Sequence, residues 1–123
     1  MRIAFFASTE LDETATAAIA ETIRRYTGET LNIGMCGNAQ NPIIAREIRK
    51  MQEQEAKPTT QLIVTSGTGS GVHPWEINWQ NECLIRFADE IILFTNGMER
   101  DPELRNILIM TLEQGIPITR IYC

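Results

Sequence analysis

Three short apolar runs in this chain end in small polar residues and lead into helix-forming sequence. Arg2-Ile3-Ala4-Phe5-Phe6-Ala7 runs into Ser8-Thr9. Thr30-Leu31-Asn32-Ile33 runs into Gly34-Met35-Cys36-Gly37-Asn38. Gln61-Leu62-Ile63-Val64 runs into Thr65-Ser66-Gly67-Thr68-Gly69-Ser70-Gly71. Glycines let backbone N–H groups approach a phosphate, and a helix start adds positive potential. In parallel α/β sheets, ligands bind where strands give way to helices. The repeated device predicts a pocket for a phosphorylated or nucleotide-like ligand.

The exits differ in detail. Gly67 to Gly71 is not a P-loop, because no Gly-Lys-Ser/Thr follows, and its evenly alternating glycines do not make a dinucleotide fingerprint. It reads either as a phosphate or ribose cradle, using the Thr68 and Ser70 hydroxyls and loop amides with Gly67 and Gly69, or as a mobile turn over the pocket, and the lack of a following helix cap favours the latter. Gly34, Gly37 and Asn38 lead to Asn41-Pro42, a strong helix start that suits an anion. A tight turn with glycines for sterics alone is the competing reading. Cys36 is a reactive thiol or a small buried side chain; with no histidine near it in sequence, the buried reading is favoured.

Farther on, Asn78, Gln80, Asn81 and Glu82 form a dense amide and carboxylate cluster. Such groups read ribose hydroxyls or base edges, or else line a solvated helix face. Glu82 is also a candidate nucleophile or general base at a glycosidic carbon. Arg100 and Arg105 follow an Asn96-Gly97 turn, where one arginine reaches a phosphate from the pocket's edge or both are solvated. His73 stands alone and reads as structural or exposed. Trp75 and Trp79, four apart, suit core or interface packing better than base stacking.

These residues need elements to hold them. Ile3 to Ala7 is a buried strand. Thr9 and Asp12 resemble a capping box, opening a helix to about Tyr26 that Gly28 stops. Leu31 to Met35 is the second strand, and a helix runs from Asn41-Pro42 to about Gln54, before the break at Pro58. Leu62 to Thr65 is the third strand. Gly67 to Trp79 reads as a loop into a helix over Asn78 to Phe87. Glu90 to Thr95 is the fourth strand, Asp101-Pro102 opens a helix to Gln114, and Ile116 to Tyr122 is the last strand. Strict strand–helix alternation predicts an α/β fold: a Rossmann-like, doubly wound, five-stranded and mainly parallel sheet with helices on both faces.

Bulk composition narrows the rest. The 123 residues fit one domain spanning 1–123, with 43% hydrophobic and 22% charged residues. A net charge of −5 argues against a nucleic-acid partner. Cys36, Cys83 and Cys123 are scattered and lack a C-x-x-C or histidine-rich cluster, so neither a metal nor a disulfide framework is expected, and a reducing cytoplasm is. No apolar run approaches the roughly 20 residues that span a membrane.

The run Asn32-Ile33-Gly34-Met35-Cys36-Gly37-Asn38-Ala39, followed by Ile44-Ala45, resembles the glycine-containing second-strand loop of the SLOG superfamily. These are Rossmann-like proteins related to the cytokinin-activating LOG enzymes and the DprA nucleotide-binding domain, and the small YspA/YpsA-like branch is the most similar. Gln80-Asn81-Glu82-Cys83-Leu84 stands where that branch has an asparagine segment. Ala88-Asp89-Glu90-Ile91-Ile92-Leu93-Phe94 resembles its Ala-Asp strand, and Gly115-Ile116-Pro117-Ile118 its closing segment. The LOG signature Pro-Gly-Gly-x-Gly-Thr-x-x-Glu is absent. The resemblance therefore implies binding of a nucleotide or nucleotide-derived ligand, such as ADP-ribose, NAD or a nucleoside phosphate. Gly34, Gly37 and Asn38 are expected on its phosphate, Asn81 on ribose or base, Arg100 or Arg105 as charge, and Ser8 and Thr9 from the first exit. No separate cofactor is implied. An N-glycosidic hydrolase or nucleoside deoxyribosyltransferase-like enzyme using Glu82 is the alternative, and an oligomeric interaction protein a further one. A homo-oligomer is expected, since small domains of this type often cover an apolar helix face by self-association.

Overall fold

The computed structural model describes residues 1–36, 39–55, 61–63, 74–97 and 102–123. In chain order the elements are β1 (Arg2–Ala7), α1 (Thr16–Arg24), β2 (Thr30–Ile33), β3 (Met35–Cys36), β4 (Ala39–Gln40), α2 (Pro42–Gln54), β5 (Gln61–Ile63), α3 (Pro74–Phe87), β6 (Glu90–Thr95), α4 (Pro102–Gln114) and β7 (Ile118–Tyr122). The fold is α/β. The main sheet has the strand order β5-β2-β1-β6-β7, and every neighbouring pair is parallel.

β1 is central because it has no polar face. Ile3, Ala4, Phe5 and Phe6 are fully buried, as a strand covered on both sides requires. Successive side chains point to opposite faces. Ile3, Phe5 and Ala7 join Ile92 and Phe94 of β6 in a core with α1 and α2. Ala4 and Phe6 join Ile91 and Leu93 in a second core with α3 and α4. In the first core the rings of Phe5 and Phe94 stack at 6.0 Å, and Tyr26 meets Phe5 edge-on at 6.1 Å. Burying each such ring contributes on the order of 1.5–3 kcal/mol.

The helices follow from their stripes and caps. Ile19, Thr22 and Ile23 give α1 its buried face, and Ile43, Ile44, Ile48 and Met51 do so for α2. Gly115, at φ +66°, ends α4 in the left-handed region that favours glycine.

Several expected boundaries move. The cap before α1 is Asp12, not Thr9: the Asp12 side chain accepts from the Thr14 amide, and a short 3₁₀ turn, Glu13–Ala15, precedes the α-helix. The expected second strand over Leu31 to Met35 breaks at Gly34. Met35–Cys36 then pairs antiparallel with Ala39–Gln40 in a small ladder outside the main sheet. α3 starts at Pro74 rather than Asn78, consistent with proline's preference for a first helical turn. The last strand starts at Ile118, because the Ile116 amide still bonds back to the Thr111 carbonyl at 3.2 Å and Pro117 has no N–H to donate to a ladder.

Candidate functional site

The exits of β1 and β2 lie side by side at the carboxyl edge of the sheet. Past β1, the Ser8 amide donates to the Phe94 carbonyl at 3.0 Å, which ties the exit to β6. Ser8 is fully buried, and its hydroxyl accepts from the Glu10 amide at 3.4 Å. Thr9 is exposed at the rim. Asp12 then takes the Thr14 hydroxyl at 2.6 Å and amide at 2.9 Å, and these bonds hold its carboxyl below the usual carboxylate range. The Arg46 guanidinium grips Glu13 at 2.9 and 2.8 Å. That grip, and then the Thr16 hydroxyl, lowers the Glu13 carboxyl to about 2. The approach to α1 thus carries two carboxylates, Asp12 and Glu13, that complement its dipole and repel a phosphate.

Past β2, the Gly34 amide donates to the Phe5 carbonyl at 2.8 Å. A Cβ built on Gly34 falls 1.9 Å from the Phe6 ring. The glycine therefore lets the chain pass against a buried ring, and its N–H is already engaged. Met35 follows, held by Asn81 of α3: Oδ1 accepts from the Met35 amide at 3.0 Å, and Nδ2 donates to its carbonyl at 2.8 Å. Gln40 turns back, its Nε2 donating to the Ile33 carbonyl at 2.8 Å.

Asn41 caps α2. Its Oδ1 accepts from the amides of Ile43 at 2.9 Å and Ile44 at 3.2 Å. Pro42 has no N–H, and the Ala45 amide reaches the Asn41 carbonyl at 3.3 Å. The first-turn donors of this helix are accounted for within the chain.

Between these parts lies a cleft of about 280 Å³, lined by Ala7, Thr9, Leu11, Gly34, Cys36, Gln40, Asn41 and Pro42. Its described lining carries no charged side chain. Leu11, Pro42 and Ala7 give it apolar surface, and Thr9, Gln40 and Asn41 give it polar groups. Such a wall suits an uncharged, partly polar group better than a bare phosphate.

Thr9 and Gly34 line the cleft, and Ser8 lies behind it. Asn81 is fully buried, with both amide atoms on Met35, so it positions the cleft wall instead of facing a ligand. Glu82 and Arg105 are not among the cleft's lining residues. The Glu82 side chain is 40% exposed and pairs with Arg86 at 2.6 Å on α3, while Arg105 is exposed on α4. Gly37, Asn38, Gly67, Thr68, Gly69 and Arg100, with His73, lie outside the described residues. Cys36 is 8% exposed and packs into the second core. Leu11 and Gln40 also line the cleft, although the sequence pattern did not single them out. Leu11 had a signal, as the apolar residue just before the Asp12 cap; Gln40 had none beyond its place before Asn41-Pro42.

Among the described residues, no cluster of three histidine, cysteine or acidic side chains is placed to hold a metal ion, and no helix is long and apolar enough to cross a membrane. No protein-family model matches the chain, and no curated protein matches it.

Proposed function

We propose that the chain is a Rossmann-like, doubly wound domain of SLOG type that binds a nucleotide or nucleotide-derived ligand, with the ribose or base in the cleft beside β1 and β2. The observation that carries this reading is position. The cleft opens at the carboxyl ends of two adjacent parallel strands, where such sheets bind ligands. The chain also winds outward from β1 through β2 to β5 and returns to β6 on the other side of β1, the order expected of a doubly wound sheet. Neutral polar groups from Thr9, Gln40 and Asn41 fit sugar hydroxyls or a base edge, and Leu11 and Pro42 offer apolar contact.

The engaged amides of α2 and the acidic approach to α1 argue that phosphate is held elsewhere than at either helix start. Glycosidic chemistry at Glu82 gains no support, because that carboxylate is ion-paired outside the cleft.

Calorimetric titration with adenosine, AMP, ADP-ribose and NAD tests the reading. At least one is expected to bind, and Thr9→Trp, which fills the rim from an exposed position, is expected to abolish binding without lowering the melting temperature. If none of the four binds, or if Thr9→Trp binds as wild type, the cleft is not the site.

A further inference from the structure

The two helical layers present unlike outer surfaces. Around α1 and α2 the surface is laced with ion pairs: Arg46 with Glu13, Arg46 and Lys50 with Glu47, and Arg25 with Glu21. Around α3 and α4 it carries large apolar side chains. Trp79 is 61% exposed, Ile109 48% and Leu112 76%. A groove of about 370 Å³ separates the two helices, with Trp79 and Glu82 on one wall and Ile109 and Met110 on the other. Exposed apolar surface of this kind marks an interaction face.

The charges on α4 indicate what covers it. Arg105, Ile109 and Glu113 are exposed and follow one another at spacings of four, which is a single stripe along a helix. The stripe is self-complementary. A two-fold axis through Ile109 lays α4 antiparallel to α4 of a second copy. Ile109 then meets its own counterpart, Arg105 meets the second copy's Glu113, and Glu113 meets the second copy's Arg105. An isologous interface requires this self-matching. A nucleic acid or a strongly acidic peptide would instead call for a surface of one sign.

We propose that the chain forms a two-fold homodimer through the outer face of α3 and α4, with Ile109 on the axis and reciprocal Arg105–Glu113 contacts beside it. Leu112 and Trp79 flank the axis and supply apolar area. The proposal is independent of the ligand cleft, which lies at the end of the sheet beside β1 and β2.

Sedimentation velocity on the full chain across micromolar concentrations tests it. Wild type is expected to sediment as a dimer, and Ile109→Glu as a monomer with unchanged circular dichroism, because the position is exposed. Arg105→Glu and Glu113→Arg each place like charges opposite one another twice and are expected to weaken association about tenfold or more. The doubly reversed chain restores opposite pairing and is expected to return to within about threefold of wild type. A monomeric wild type, a dimer indifferent to Ile109→Glu, or a double reversal no tighter than the single ones would each overturn the proposal.

Discussion

Asn81 holds the Met35 peptide from both sides, accepting from its N–H at 3.0 Å and donating to its C=O at 2.8 Å. Met35 is buried and lies outside the main sheet, so this side chain stands in for a neighbouring strand. It fixes the wall of the cleft, because Gly34 and Cys36, on either side of Met35, both line it.

Removing that side chain leaves a buried donor and acceptor without partners. Asn81→Ala is therefore expected to destabilise the protein by about 2–4 kcal/mol in urea unfolding. Asn81→Asp keeps one acceptor but turns a carboxylate toward the Met35 carbonyl. Its folded-state pKa then lies above the unfolded value of about 3.9. The variant's missing stability is recovered below that value and lost as pH rises through the folded-state pKa. An Asn81→Asp protein equally stable at pH 4 and pH 7 would contradict the clamp.

Much of the architecture was legible because it rests on local pattern. The doubly buried run at β1, the Asn41-Pro42 cap and the glycine stop at Gly115 each declare themselves within a few residues. The parts of the site that were not legible depend on contacts between distant residues. An amide at Asn81 looks the same in sequence whether it faces solvent, a ribose or Met35. Gly34 reads as a phosphate glycine until the Phe6 ring is placed against it. The paired segments β3 and β4, two residues each, are too short to show periodicity.

Gly34 makes a second prediction. The Phe6 ring that an added methyl would strike is itself fully buried, so it has little room to turn. Gly34→Ala is expected to cost about 3 kcal/mol or more. In a Phe6→Leu background the same change is expected to cost markedly less, since the struck ring atoms are gone. Urea unfolding of the four proteins gives the coupling, and additive costs would show that the ring is not the obstacle.

The Glu13–Arg46 pair sets an acid-side dependence. The Glu13 carboxyl is lowered from 4.5 to about 2 in the folded protein. The stability it contributes is present above the unfolded value and lost as pH falls through the folded one. NMR titration of the Glu13 side-chain carbon is expected to give a midpoint near 2, and Arg46→Gln to return it toward 4.5. The pair is exposed, so added salt should also raise the midpoint. A wild-type midpoint near the ordinary value would show that the pair does not form in solution.

Asn41 makes the last prediction, which separates capping from anion binding at α2. Its Oδ1 occupies the Ile43 and Ile44 amides, the donors a phosphate would need at a helix start. Wild type should therefore gain no more from sulfate or phosphate than from chloride at matched ionic strength, apart from the general effect of excluded salts. Asn41→Ala removes the cap and is expected to cost about 1 kcal/mol in stability. It also uncovers both amides at the positive end of a helix. Thermal unfolding of this variant should consequently show a phosphate-dependent rise in melting temperature beyond that of wild type. If wild type already shows the larger rise, phosphate displaces the Asn41 side chain, and the start of α2 is an anion site after all.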